Sequence, residues 1–327
     1  MTYIRPYAAP LVVAVALVFL TILPLSATQA DTSLTIGTNA LLALSLGLAF
    51  GQGGIFSGAQ AAFGAVGGYA TAIATTTWSL SPFVGLVLAI VLAAAVSWAL
   101  ARLIVRLSPL ALALATIVFS QMLTILINQN VGLTGGYIGI AGIPRIPGIG
   151  ATYRAQILVW AIVLLVSIGY VHLRDSIQGQ ALRTIRHDAT LAQSLGINVT
   201  ARLSALFALS GGIAGLAGWV YAHSRLFLSP QSLPLGLSII LLMMVVVGGR
   251  TTVLGPVVGA VLFTLLQDWL PGQQLQNALF GLIVLIVMLA FPAGIVATDW
   301  RAVVRQAARH RRPSATELNT PTAKVTT

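Results

Sequence analysis

The chain has no cysteine, one lysine and six acidic residues among 327. Without cysteine there is no disulfide, thiolate nucleophile or cysteine metal site, and nothing is said about redox compartment. His172, His187, His223 and His310 are far apart and lack metal-ligand spacing. A phosphate-cradling loop needs a Gly-rich turn followed by Lys-Ser/Thr. The single lysine, Lys324, sits between Ala323 and Val325, so nothing supports ATP hydrolysis by this chain. No nucleophile–base pair suggests an enzyme. The carboxylates Asp31, Asp175, Asp188, Asp268, Asp299 and Glu317 fall at the ends of apolar runs or between them. A proton relay of intramembrane acids therefore lacks parts, while sodium coupling through carbonyls and hydroxyls stays open. Charged residues make up only 7% of the chain, where a soluble domain carries about 25%. A water-facing surface cannot be built from this composition.

What is present is apolar: 57% of residues. Such a chain can face lipid all round its helices. A span needs about 20 mostly apolar residues. Ten segments qualify, near 9–27, 33–50, 57–77, 83–105, 109–128, 155–173, 203–223, 236–249, 254–270 and 277–297. The net charge of +11 does not indicate nucleic acid, because the arginines flank the apolar runs. With the N-terminus inside, 14 of the 17 Lys and Arg fall on the inner side; only Arg145, Arg154 and Arg225 fall outside. The positive-inside rule then predicts an all-α, polytopic membrane protein of about ten helices, with both termini in the cytoplasm. The first run has a rival reading as a cleavable signal peptide ending at Thr28-Gln29-Ala30, although its 18-residue apolar stretch is long for one.

Residues 1–300 read as one transmembrane domain and 301–327 as a basic, then disordered cytoplasmic tail suited to anionic lipid. Eight glycines lie between Gly47 and Gly68. Gly64/Gly68, Gly211/Gly215 and Gly255/Gly259 repeat at four-residue spacing, which lets helix backbones approach closely. Packing is the plain reading; an irregular, Gly-rich approach to the third span that lines a path is the functional one. Gly248, Gly249, Gly255 and Pro256 imply either a tight hairpin or a broken helix. In the fifth span Thr116, Ser120, Thr124 and Asn128 form a polar stripe with Gln121 beside it. It serves either bundle packing or a solute path, and Asn39, Gln52 and Gln60 are weaker candidates of the same kind. The external segment 129–154 is rich in Gly and Pro. The internal segment 174–202 reads as one short amphipathic helix, ended by a left-handed turn at Gly196. Its apolar side needs either the protein body or a soluble partner.

Residues 181–222, "ALRTIRHDATLAQSLGINVTARLSALFALSGGIAGLAGWVYA", resemble the membrane permeases of bacterial branched-chain amino-acid ABC importers. Three more stretches agree: "FSGAQAAFGAVGGYATA" at 56–72, "TGGYIGIAGIP" at 134–144 and "SPQSLPLGLSIILLMMVVVGGRTTVLGPVVGAVL" at 229–262. The likeness runs in order from about 33 to 297, and the layout is more similar to the M-type subunit than to the H-type.

The resemblance implies a permease bundle in the bacterial inner membrane that translocates branched-chain or related amino acids. It makes 174–202 the segment that couples to a cytoplasmic ATPase, through Arg183, Arg186, Asp188 and Gly196. It also implies two ABC ATPase subunits, a second permease subunit that is a paralogue, and an extracytoplasmic solute-binding protein. ATP is used by the partner subunits, and this chain needs no cofactor of its own. Departures from the pattern bear on the solute. Many relatives carry acidic residues where this chain has His187, Ala189 and Gln193, Glu and Arg where it has Gln121 and Thr124, and histidine where it has Gln60. Urea or short amides are therefore alternative solutes, and an ion-coupled transporter or channel is the alternative mechanism.

Overall fold

Serine residues start three of the long helices. Ser26 caps α1 (Ala27–Gly53): its hydroxyl accepts from Gln29 N while Gln29 Oε1 accepts from Ser26 N, a reciprocal capping box. Ser81 and Ser108 each cap a helix whose first residue is proline, giving α3 (Pro82–Ile104) and α4 (Pro109–Gln129). Proline suits that position because its missing N–H has no helical partner there. These elements belong to a computed structural model that describes residues 26–148, 152–269, 273–290 and 294–296.

The remaining helices are α2 (Gln60–Thr76), the one-turn α5 (Val131–Thr134), α6 (Thr152–Asp175), α7 (Ile177–His187), α8 (Ala189–Ser194), α9 (Val199–Arg225), α10 (Leu235–Gly248), α11 (Leu254–Trp269) and α12 (Gln273–Ala290). Among the described residues the fold is all-α apart from β1 (Ile140–Ala141), which pairs antiparallel with β2 (Phe227–Leu228) and ties the 130–148 loop to the end of α9. Six helices among the described residues are long and apolar enough to cross a membrane: 28–53, 82–104, 109–129, 154–175, 199–225 and 230–248. The apolar run near 9–27 and the tail 301–327 lie almost wholly outside the described residues. The Thr28-Gln29-Ala30 run sits in the capped first turn of α1, which begins earlier than the expected 33.

α1 and α9 form the centre. Their surfaces are mostly buried, whereas α3 and α4 expose Leu103, Leu110, Val118 and Met122 outward. The glycine spacings act in packing. A Cβ on Gly218 would strike the Gly64 carbonyl of α2, and one on Gly215 would strike the Ala89 carbonyl of α3. Backbones can approach this closely only where no side chain intervenes. Gly248, Gly255 and Gly259 do the same between α10 and α11, so the eighth and ninth runs form a tight hairpin.

Residues 54–59 are irregular and α2 starts at Gln60, three residues after the expected start of the third span near 57. One expectation changes. The internal segment is two helices, because Asp188 leaves helical geometry (φ −153°, ψ 108°) and caps α8 with its own carboxylate. Gly196 does take the left-handed conformation, at φ 78°.

Candidate functional site

Three places carry the sequence candidates. The first is the 174–202 segment. α7 buries Leu182 and Ile185 against the body and α8 buries Ala192, while Ile177, Leu191 and Leu195 are exposed. Arg183 Nη1 donates to the Arg174 carbonyl at 2.6 Å. Arg186 Nη1 donates to the Gly51 carbonyl at the end of α1. Burial first, then the neighbouring Arg250 guanidinium, lower the Arg186 pKa below its ordinary value. Arg186 thus ties the segment to α1, and Arg183 ties α7 to the last turn of α6. The Asp188 carboxylate accepts from Thr190 N (2.8 Å) and Leu191 N (3.0 Å), which fixes the start of α8.

The second is the middle of the bundle. α2 begins within the bundle, not at its edge, so its first N–H groups cannot reach water. Side chains from other helices satisfy them. Gly58 N donates to Thr116 Oγ1 of α4 (2.9 Å) and Ala61 N to Ser238 Oγ of α10 (3.0 Å). Gln60 is fully buried; its Nε2 donates to Ser210 Oγ (2.8 Å), and Ser210 Oγ donates to the Ser45 carbonyl (2.8 Å). The Ser45 hydroxyl donates in turn to the Ser210 carbonyl at 2.9 Å. Gln60 therefore locks α1, α2 and α9 together. Irregular backbone at membrane depth is tolerated only with such partners.

The stripe on α4 divides. Thr116 and Ser120 are buried, while Thr124 and Asn128 are half-buried, Thr124 donating to the Ser120 carbonyl (3.1 Å). Gln121 points outward, beside exposed Val118, Met122 and Ile125. It does not join the Gln60 cluster.

The third place is a cavity of about 380 Å³ at the end of the bundle opposite the 174–202 segment. Asn39 is the one sequence candidate in its wall; its Nδ2 donates to Thr264 Oγ1 at 3.0 Å. Arg225 stands at the mouth. Its Nη1 donates to both oxygens of Asp31 (2.9 and 3.0 Å) and its Nη2 to Thr35 Oγ1 (2.7 Å). Leu34, Leu42, Leu233 and Leu237 supply apolar wall, and Tyr221 and Gln267 supply polar wall. Sequence reasoning missed this cavity. Two signals were available: Thr35, Thr38 and Asn39 share one face of α1, and Asp31 and Arg225 are opposite charges at ends of apolar runs assigned to the same side.

Comparison with known proteins finds relatives among transport permeases. The high-affinity branched-chain amino acid transport system permease protein LivM of Salmonella typhimurium is 25% identical over 291 residues, covering 80% of this chain and 67% of the relative. LivM of Escherichia coli K12 gives the same identity and coverage. A probable branched-chain amino acid transport permease protein LivM of Methanocaldococcus jannaschii is 21% identical over 254 residues, covering 70% of this chain and 74% of the relative. No solved structure gives a significant match. Residues 30–292 match the family described as the permease component of branched-chain amino acid transport systems, and the chain, a multi-pass membrane protein, belongs to that family.

Proposed function

We propose that this chain is the inner-membrane permease subunit of an ATP-driven importer of branched-chain or related amino acids. It has about ten spans, with both termini and the 174–202 segment in the cytoplasm. A separate binding protein delivers the solute to the opposite face. Two ATPase subunits move the coupling segments of the permease pair, 174–202 on this chain, and the second permease subunit, a paralogue, completes the path.

The observation that carries the reading is the exposed apolar edge of α8. Leu191 is 53% exposed and Leu195 65% exposed on a segment whose other face is anchored to the bundle. Arg186 links that segment to α1, so a push on α8 reaches the centre of the molecule. Such a segment suits a soluble partner better than lipid, because Asp188 and the polar residues of α8 lie on the same short stretch.

Gln121 supports the second permease. It lies 12 residues into α4, about 18 Å from its start at 1.5 Å per residue, near the middle of a bilayer core about 30 Å thick. An amide there is costly against lipid alone. A protein surface over this face of α4 relieves that cost and puts Gln121 at the subunit boundary, where a solute path would run.

The test is reconstitution. Proteoliposomes with the permease pair, ATPases, binding protein and ATP take up a branched-chain amino acid, and omission of the ATPases abolishes uptake. Flux driven by an ion gradient through this chain alone would instead support the ion-coupled alternative.

A further inference from the structure

The cavity at the Arg225 end has an unusual division of chemistry. Arg225 lines the cavity and pairs with Asp31, which lies one turn before the first lining residue of α1, and both stay open to solvent: the Arg225 side chain is 37% and that of Asp31 53% exposed. Such an exposed pair is worth only about 0–1 kcal/mol, so either partner exchanges readily for a solute charge. Arg225 Nε makes no hydrogen bond among the described residues, and neither does the Tyr221 hydroxyl or the Gln267 side-chain amide. Deeper, the wall is aliphatic. From Leu34 to Leu42 the cavity follows α1 over about 12 Å of helix rise, with Leu233 and Leu237 facing from the other side.

We propose that this cavity binds a free zwitterionic α-amino acid with an aliphatic side chain. The proposal rests on the transport reading above and names a holding site on this chain. The solute carboxylate meets Arg225, its ammonium meets Asp31, and its side chain lies against Leu233, Leu237 and Leu42. A lone anion at the mouth would face Asp31 and a lone cation would face Arg225. A zwitterion satisfies both at once. Urea or a short amide would leave the aliphatic wall unfilled. The volume lies near the lower end of ligand pockets, which run from about 300 to 1,000 Å³, and suits one amino acid better than a peptide.

The direct test is photolabelling of the complete transporter in lipid nanodiscs with a diazirine analogue of L-leucine, followed by peptide mapping. Label is expected in peptides containing 34–42 and 233–237. Excess L-leucine should suppress it at least tenfold, and leucinamide, which lacks the carboxylate, should not. Arg225→Gln should lower the label at least tenfold, and Arg225→Lys should retain part of it. Leu237→Trp, which fills the cavity without touching the ion pair, should lower it as far as Arg225→Gln does. Label that L-leucine does not suppress, or that survives both Arg225→Gln and Leu237→Trp, overturns the assignment. A transporter that imports leucine with ATP but gives no competed label in these peptides contradicts the cavity assignment alone. One that imports urea or short amides and no amino acid overturns the transport reading as well.

Discussion

Arg186 and Gly51 are joined by a hydrogen bond from the guanidinium to the backbone carbonyl, across 135 residues of sequence. Through it α7 holds the end of α1. α1 then runs through the Ser45–Gln60–Ser210 cluster and on to the cavity wall at Thr35 and Asn39. One helix thus touches the segment proposed to meet the ATPase, the centre of the bundle and the site proposed for the solute.

Removing the Arg186 link should separate ATP hydrolysis from transport. Arg186→Met leaves the Gly51 carbonyl without its charged donor, a loss of about 1.5–3 kcal/mol for a charged hydrogen bond. ATPase co-purification should persist while ATP-driven uptake falls at least fivefold, and Arg186→Lys should recover part of it. Equal uptake by wild type and Arg186→Met would remove this contact from the coupling route.

Asp188 and Leu191 test two roles of one short helix. Asp188→Ala removes the cap of α8 and should cost about 1 kcal/mol of local stability. It should weaken ATPase association, whereas Asp188→Asn, which also caps well, should keep most of it. Leu191→Asp alters an exposed position, so thermal unfolding should be unchanged. Association with the ATPase, read by pull-down in mild detergent, should fall at least tenfold.

Gln121→Leu should change uptake without loss of folded protein, since the residue is exposed and outside the Gln60 cluster. Its second readout is the permease pair itself, by native mass spectrometry. Wild-type uptake together with a wild-type pair would reduce Gln121 to a surface residue.

Gly218→Val and Gln60→Leu should both destabilise the bundle, for different reasons. Valine at 218 forces apart backbones that touch at Gly64. Leucine at 60 leaves the buried Ser45 and Ser210 hydroxyls with fewer partners, at about 1–3 kcal/mol per unsatisfied group. Thermal unfolding in detergent should show a lower midpoint for each, with Ser224→Ala, which removes only a hydroxyl bonded to its own helix, as the neutral control.

The sequence made the helices legible because lipid imposes a length and a composition on each span. The glycine pairs were legible for a similar reason: four-residue spacing fixes a helix face, and Gly211 and Gly215 do meet α3 while Gly68 meets α9. Periodicity could not reveal the break at Asp188. The apolar residues of α7 and α8 continue nearly in phase, and only the carboxylate capping Thr190 and Leu191 separates them. Nor could it divide the α4 stripe, because four-residue spacing drifts around the helix and neighbours decide which side is covered. The cavity was least legible. Asp31 and Arg225 are 194 residues apart, and their pairing exists only once α1 and α9 are side by side.

The measurement that bears most directly on the account is ATP-dependent uptake of radiolabelled leucine into proteoliposomes holding the assembled permeases, ATPases and binding protein. Uptake that requires all of these components, and that Leu191→Asp abolishes while the permease stays folded, is the predicted result. Uptake by the permease alone, or uptake that persists undiminished in Leu191→Asp, would contradict it.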